Sequence, residues 1–278
     1  MKRMLTLLAG IGMACTAMAQ TDSTQAPKSD TIRIGKMIIV RSGGANGSAK
    51  EDNDRERTRI YRRKYKPSNI STNWLILDLG FTNFNDQTNY SSVEAQAFAP
   101  LSNEDWFKLK AVKSSNVNIW FFMQRLNLVK HVVNLKYGLG LDMNNYRFKE
   151  PVKFLTEPRT TVIMDLTTEY SKNKLVAEYI TVPMLLEFNF TPQRERGFGI
   201  AFGASAGYLY ASRQKTITDA DGKRKKRDEF DLRPWKLQYL AELGLGPVKV
   251  YGSYASQSIF ERGLDLTPYS VGIRISSW

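Results

Sequence analysis

The chain has 278 residues and a formal net charge of +13, with one cysteine and one histidine. This length is enough for one large β-domain or two small domains. The lone cysteine excludes a disulfide-stapled fold, the lone histidine excludes a multi-histidine metal site, and no cofactor is expected.

The first 19 residues have the layout of a secretory signal peptide. Lys2 and Arg3 precede an apolar run at 5–15, and Ala17-Met18-Ala19 forms a small-x-small cleavage site. The run is too short to span a bilayer as a helix. No later stretch has the 18 or so apolar residues of a membrane helix. We therefore expect an exported protein that is either soluble or an outer-membrane barrel.

Residues 20–72 are predicted to form a flexible, charged periplasmic segment. Within it, TIRIGKMIIV at 31–40 is a short strand candidate. Residues 42–59 are rich in Gly, Ser and mixed charge, and lack the apolar side chains that offset the entropy cost of ordering. We read 41–70 as a flexible linker. The predicted organisation is a signal peptide at 1–19, this segment at 20–72 and a barrel domain at 73–278.

From residue 73, apolar side chains alternate with polar or small ones. In VVNLKYGLGLDM, for example, the alternation is almost unbroken. A period of two indicates β-strands with two unlike faces. The predicted strands lie at 73–84, 116–126, 132–148, 175–190, 197–210, 232–245, 248–256 and 268–278.

The connections between these strands alternate in length. Those at about 85–115, 149–173, 211–231 and 257–267 are longer, and the three between them are short. Outer-membrane barrels have short periplasmic turns and long outside loops. The expected fold is therefore all-β, an eight-stranded antiparallel up-and-down transmembrane β-barrel.

Two observations favour lipid on the apolar face. Small residues dominate the other face of 197–210, which leaves room in a narrow interior for large or charged side chains. Aromatic residues cluster towards both strand ends, as Tyr208, Tyr210 and Trp235 do at one end and Phe188 and Phe198 at the other.

This choice assigns each face. The predicted lipid-facing residues are Val133, Leu135, Tyr137, Leu139, Leu141, Phe198, Ile200, Phe202, Leu237, Val271 and Ile273. The predicted polar interior residues are Asp78, Lys136, Asp142, Glu187, Lys236, Glu242 and Arg274, with Trp74 beside them. The interior charges have both signs, as burial requires.

Two further features need a place in this fold. Pro183 lacks an N–H, so we expect a bulge there. The basic run Lys223, Arg224, Lys225, Lys226 and Arg227 is predicted to be an outside loop. A solvated charged loop is the first interpretation of this run, and the alternative is an anion-binding site for acidic glycans or lipid headgroups.

Several stretches resemble the PorT-like outer-membrane β-barrel family of Bacteroidetes. They are NVNIWFFMQRLNLVKHVVNLKYGLGLDMNNYRF (116–148), KLVAEYITVPMLLEF (174–188), RPW (233–235), VYGSYASQSIF (250–260) and PYSVGIRI (268–275). The resemblance covers most of residues 73–275. It implies a small outer-membrane barrel and no particular activity, although one member is linked to type IX protein secretion. The family offers no catalytic motif to transfer.

The leading hypothesis is a non-enzymatic outer-membrane barrel with a structural, binding or secretion-accessory role. Its expected partners are outer-membrane lipid and lipopolysaccharide, the barrel-assembly machinery, and secretion components or surface glycans, but no nucleic acid. The alternatives are a narrow porin-like channel, a soluble lipocalin-like binder and a lipid-modifying enzyme. The sole histidine, His131, is expected in a short turn and has no visible nucleophile partner.

Overall fold

The computed structural model describes residues 30–34, 37–41, 61–62, 67–194, 197–246 and 248–275. The chain divides into two compact units, Met1–Lys64 and Tyr65–Trp278. The predicted signal peptide, most of the predicted flexible segment and the end of the last predicted strand lie outside the described residues.

The first unit contains three short strands, β1 (Asp30–Ile34), β2 (Met37–Arg41) and β3 (Tyr61–Arg62). β2 pairs antiparallel with both β1 and β3. The single strand predicted at 31–40 is therefore a hairpin of two strands. β3, the last residue of β2 (Arg41) and Ile70 of the strand that follows lie inside the stretch 41–70 predicted as a linker, so that prediction was wrong at these residues.

The second unit carries the other strands. They are β4 (Ile70–Asp86), β5 (Ser115–Val129), β6 (Val133–Arg147), β7 (Val152–Leu155), β8 (Thr161–Met164), β9 (Tyr170–Asn189), β10 (Phe198–Thr218), β11 (Gly222–Arg227), β12 (Trp235–Leu245), β13 (Val248–Ala255) and β14 (Leu266–Ile275). Its helices are α1 (Val93–Phe98) and a 3₁₀ turn, Ala111–Lys113.

Eight of these strands close into a ring in the order β4-β5-β6-β9-β10-β12-β13-β14, and β14 pairs with β4. Every pairing around the ring is antiparallel. The predicted eight-stranded antiparallel barrel is confirmed. Following the paired residues once around gives a stagger of about ten residues, which tilts the strands by roughly 40° to the barrel axis.

The short and long connections lie at opposite ends of the barrel. We call these the short-turn end and the long-loop end. Lys130 and His131 both adopt positive φ, 46° and 59°, in the tight turn between β5 and β6 at the short-turn end. The Asn127 side-chain oxygen accepts a hydrogen bond from the His131 backbone N–H at 2.7 Å. The histidine therefore lies in a turn, as its sequence position predicted.

Three local predictions were wrong. Leu75 adopts a left-handed conformation with φ 54°, which breaks the alternation of β4 and leaves Trp74 71% exposed on the outside of the ring. Pro183 faces inward and pairs with Ser205 of β10 without a register shift. The pairing with β6 is instead interrupted at Val182 and Pro183, since proline has no N–H to donate.

The third error concerns the basic run. β10 continues to Thr218, eight residues past its predicted end, and forms a hairpin with β11. Residues 222–227 are therefore a strand and not a loop.

The long connections fold into a packed apolar layer over one end of the ring, which we call the cap. Phe98 of α1 contacts Phe260 from the last loop, with ring centroids 5.4 Å apart. Phe154 of β7 contacts Phe230 at 5.6 Å. All four side chains are fully buried in one cluster with the inward residues of β6 and β9 at the long-loop end. The cap thus joins all four long connections into one core.

Candidate functional site

Charged side chains meet in the middle of the barrel. The Arg274 guanidinium donates to both Asp78 oxygens, from Nε at 2.7 Å and from Nη2 at 2.8 Å, and also to Glu242. Trp120 Nε1 donates to the same Asp78 carboxylate at 2.7 Å. Lys136 donates to the other oxygen of Glu242. Each carboxylate therefore has at least one cationic partner, as buried charges need.

A second group lies around Asp142 on β6. Lys236 Nζ lies 2.6 Å from Asp142 Oδ2, and the Asn116 and Asn144 amides donate to Oδ1 at 2.8 and 2.7 Å. The Tyr251 hydroxyl in turn donates to the Asn116 side-chain oxygen at 2.6 Å. These contacts join β5, β6, β12 and β13 through the interior. The seven interior residues predicted from the sequence are all buried inside the ring.

The sequence reasoning missed several interior partners. Asn116, Asn118 and Trp120 bond directly to the charged groups. Tyr251 bonds to Asn116, and Lys249 is buried beside them. β5 is apolar on both faces in its middle, so the sequence pattern does not show which of its residues face the interior. A register shift in its pairing with β6 between Trp120 and Phe122 explains this loss of alternation.

Small residues make room for the large interior side chains. A Cβ placed on Gly140 would lie 2.6 Å from Trp120 Cε3 and 2.5 Å from the Ile119 carbonyl oxygen. Trp120 packs there in an apolar cluster with Ile76, Met123, Leu185 and Ala201. The small inward face of β10 therefore forms part of a filled interior.

Two small cavities lie among the charged side chains inside the ring. One cavity beside Lys136, Glu187 and Lys249 has a volume of about 30 Å³. Another beside Asp78 and Arg274 has a volume of about 10 Å³. A cavity needs a volume of about 10–15 Å³ to hold one water. Neither of these two cavities is therefore large enough to form a continuous aqueous path.

The outward face of the ring is apolar. Val133, Leu135, Tyr137, Leu139 and Leu141 alternate with buried residues along β6. The other predicted lipid-facing residues are all exposed outside the ring; they are Phe198, Ile200, Phe202, Leu237, Val271 and Ile273. Soluble monomers rarely expose a continuous apolar surface of this size.

Aromatic side chains bound this apolar belt at two levels. Tyr208 and Trp235 are paired residues with ring centroids 5.0 Å apart. Phe190 and Phe198 stack at 5.5 Å towards the short-turn end. Tyr208 follows Phe198 by ten residue steps along β10. At about 3.3 Å per residue and a tilt of about 40°, the two levels lie about 25 Å apart, the height of the apolar band of outer-membrane barrels.

The basic run 223–227 lies beyond the long-loop side of this belt, and all five side chains are exposed. Its side chains alternate between the two faces of the β10–β11 hairpin. Lys226 Nζ donates to the Phe154 carbonyl oxygen at 3.3 Å on the cap side, whereas Lys225 pairs across the strands with Lys215 on the other. The run is thus divided into two unlike sets.

None of the helices that the structure describes is long and apolar enough to cross a membrane. In the same residues, no three His, Cys, Asp or Glu side chains are grouped as metal ligands would be. Comparison with curated proteins gives no significant match.

Comparison with protein families matches residues 77–258 to the family described as outer membrane protein beta-barrel domain. The match runs from β4 past the end of β13 and so covers most of the ring. A filled antiparallel ring with an apolar belt of membrane height agrees with this match. The chain belongs to the outer membrane protein beta-barrel domain family.

Proposed function

We propose that the protein is a closed, non-enzymatic barrel of the outer membrane that carries the cap and the β10–β11 hairpin at the cell surface. Its role is then structural, binding or secretion-accessory. The observation that carries this proposal is the interior, where bonded charges such as Arg274, Asp78 and Glu242 fill the ring. A barrel filled in this way anchors a surface without opening a path through it.

The filled interior argues against the porin-like alternative. Ions would have to displace the bonded Arg274 and Lys136 side chains, and the cap packs over the long-loop end. The outward belt argues against a soluble lipocalin-like binder, whose apolar side chains line the interior. His131 argues against an enzyme, since it lies in a turn at the short-turn end.

The proposal includes export through the N-terminal signal sequence and insertion by the barrel-assembly machinery. The long-loop end then faces the medium, and outer-membrane lipid with lipopolysaccharide surrounds the belt. The resemblance to PorT-like barrels of Bacteroidetes supports a link to protein secretion. The cap is the surface that binds secretion components or surface glycans, since binding residues concentrate on exposed loops.

Two measurements test the proposal together. In cells, the protein should stay with the outer membrane until detergent is added, and its gel migration should change on boiling. In planar bilayers, the purified protein should give no steady conductance level. Release without detergent would support the soluble binder, and a stable open level would support the channel.

A matched variant sharpens the conductance test. Shortening Arg274 to Ser removes a bonded side chain from the middle of the interior. If this variant shows brief openings while the parent is silent, the interior side chains are what block the ring. An open parent would overturn the proposed closed barrel directly.

A further inference from the structure

At the long-loop end, some strands of the ring extend beyond the aromatic level formed by Tyr208 and Trp235. These extensions carry many basic side chains. The extension consists of the ends of β6, β9 and β10 with the added strand β11. Residues paired directly across antiparallel strands point to the same side of a sheet. The register therefore decides which cations share a surface.

One row of paired residues is entirely basic across four strands. Lys225 pairs with Lys215, Lys215 with Lys174, and Lys174 with Arg147. In the next row Arg227 pairs with Arg213. On the other flank, Lys223 and Lys172 both pair with Ile217. We call the shared surface the basic face; its members are Arg147, Lys172, Lys174, Arg213, Lys215, Lys223, Lys225 and Arg227.

Negative charge barely offsets this surface. Arg213 pairs with Glu178 at 2.6 Å, the one salt bridge that the described residues supply on the basic face. Burial, together with the neighbouring charges of Lys172 and Lys215, lowers the pKa of Lys174 to about 8. Like charges placed directly opposite each other are destabilising in a sheet. The basic face therefore keeps positive charges that repel one another. An anionic partner would be attracted to these charges and would reduce their repulsion.

The opposite side of the same sheet is built differently. Gln214 is buried and donates to the Val152 carbonyl oxygen at 2.9 Å, so this side packs against the cap. Arg224 pairs with Asp221 at 2.6 Å near the hairpin tip. Of the five basic residues at 223–227, only the odd-numbered three belong to the basic face, because side chains alternate along a strand.

The distance between the basic face and the apolar belt limits which anionic lipids can reach this face. Arg213 and Lys215 are five and seven residues beyond Tyr208 on β10. With the same rise and tilt, they lie about 13 to 18 Å outward of the aromatic level at Tyr208. A phospholipid headgroup layer is only about 5–8 Å thick. The long sugar headgroup of lipopolysaccharide, with its phosphates, extends this far.

We propose that the basic face binds the phosphate groups of lipopolysaccharide packed beside the barrel. This inference rests on the proposed outer-membrane location and assigns a specific surface of the protein to lipopolysaccharide. Phosphate oxygens accept hydrogen bonds from lysine and arginine, and a row of four cations spans several headgroup anions at once. The partner neutralises the repulsion between neighbouring side chains and so orders the hairpin at the membrane surface.

The test compares two variants that each lose three positive charges. The face variant carries Lys223→Gln, Lys225→Gln and Arg227→Gln. The control carries Lys113→Gln, Arg224→Gln and Lys226→Gln, all exposed and all off the basic face. The full chain, folded in nonionic detergent at low salt, is titrated with purified lipopolysaccharide and with the same lipopolysaccharide after enzymatic dephosphorylation.

Each cation at an anionic lipid surface contributes roughly a fivefold factor in affinity. The face variant should therefore bind lipopolysaccharide on the order of 100-fold more weakly than the parent, and the control within about threefold of it. The parent should bind the dephosphorylated lipid at least as weakly as the face variant binds the intact one, because dephosphorylation removes the partners of all eight cations. Equal binding by both variants, or no effect of dephosphorylation, would overturn the proposal.

Heat-modifiable gel migration of the parent and both variants shows whether each protein is a folded barrel. A loss of binding can then be distinguished from a loss of folding. If Gln replacements prevent the face variant from folding, Lys225→Glu alone provides the comparison, with Arg224→Glu as its control. A parent that is a soluble protein overturns both the proposed function and this inference. A parent that inserts as a barrel but binds through neither set of cations overturns only the lipopolysaccharide site.

Discussion

Arg274 and Asp78 are paired residues on β14 and β4, and their side chains form a two-point ion pair inside the ring, at 2.7 and 2.8 Å. These are the last and first strands of the barrel. The pair therefore lies on the seam where the sheet closes on itself. The same guanidinium also reaches Glu242 on β12, so one side chain joins three strands.

Removing this guanidinium should be costly. Arg274→Leu leaves Asp78 buried without its cation, and breaking one side of a buried pair typically costs about 3–5 kcal/mol. The unfolding free energy in urea with lipid vesicles measures the loss. The control is Arg224→Leu, which breaks an equally short but exposed pair with Asp221 and should cost under about 1 kcal/mol. Equal losses in the two variants would mean that the seam pair has no special role.

The outward belt gives a second prediction. Leu139 lies on the outward face of β6, between the two aromatic levels. Leu139→Arg would put a charge against lipid and should cost about 2–4 kcal/mol near mid-membrane. Val112→Arg, at an exposed site in the 3₁₀ turn, is the control and should be nearly neutral. The same unfolding experiment measures the cost. If the Leu139→Arg barrel is as stable as the parent, the outward face of β6 does not contact lipid.

Two glycines of the ring should differ sharply. A Cβ on Gly140 would meet the Ile119 carbonyl at 2.5 Å and the Trp120 ring at 2.6 Å, whereas the nearest atom to one on Gly252 is 3.8 Å away. Gly140→Ala should cost about 1–3 kcal/mol through overpacking, and Gly252→Ala should be tolerated. The Trp120 environment makes fluorescence a direct readout. Equal stability of the two variants would mean that the interior can repack freely.

The cap should weaken in acid through Asp165. Hydrogen bonds from Thr167 and Tyr170, the first of these the larger cause, hold the pKa of this carboxyl well below its usual range. A carboxyl with a lowered folded-state pKa stabilises the fold fully above its unfolded pKa, near 4, and loses that contribution as the pH falls further.

Protection from hydrogen exchange in the 151–170 segment, corrected for intrinsic rates, measures this effect at pH 6 and pH 3. The parent should lose protection on acidification, and Asp165→Asn should be weakly protected at both values. Asp105→Asn is the control, because Asp105 lies in an exposed pair with Lys108. A parent that keeps full protection at pH 3 would contradict the assignment.

The sequence predicted the fold well wherever one face of a strand was clearly apolar. The alternation in β6 and β10 and the lengths of the connections gave eight strands and the placement of Lys136 and Asp142. It failed where alternation breaks for a local reason, as at Leu75, which reverses the side expected for Trp74. The extension of β10 past Tyr210 is polar on both sides and therefore reads as a loop.

The candidate sites were predictable only in part. Individual interior charges could be assigned by periodicity, but the partner of each depends on the register between strands, which one sequence does not contain. The basic face shows the same limit. The run at 223–227 was visible, whereas Arg147, Lys174 and Lys215 join it only through pairings between strands far apart in the chain.

The cap also determines where the surface can be altered. Each long connection contributes at least one buried ring to the same core: Phe98, Phe154, Phe230 and Phe260. A change in the packing of one loop therefore alters the packing of the other three. The hairpin tip at 219–221 lies outside this core and is exposed. A peptide tag for surface display should therefore be carried at the tip, while loop exchanges between related barrels should succeed only when all four loops are moved together.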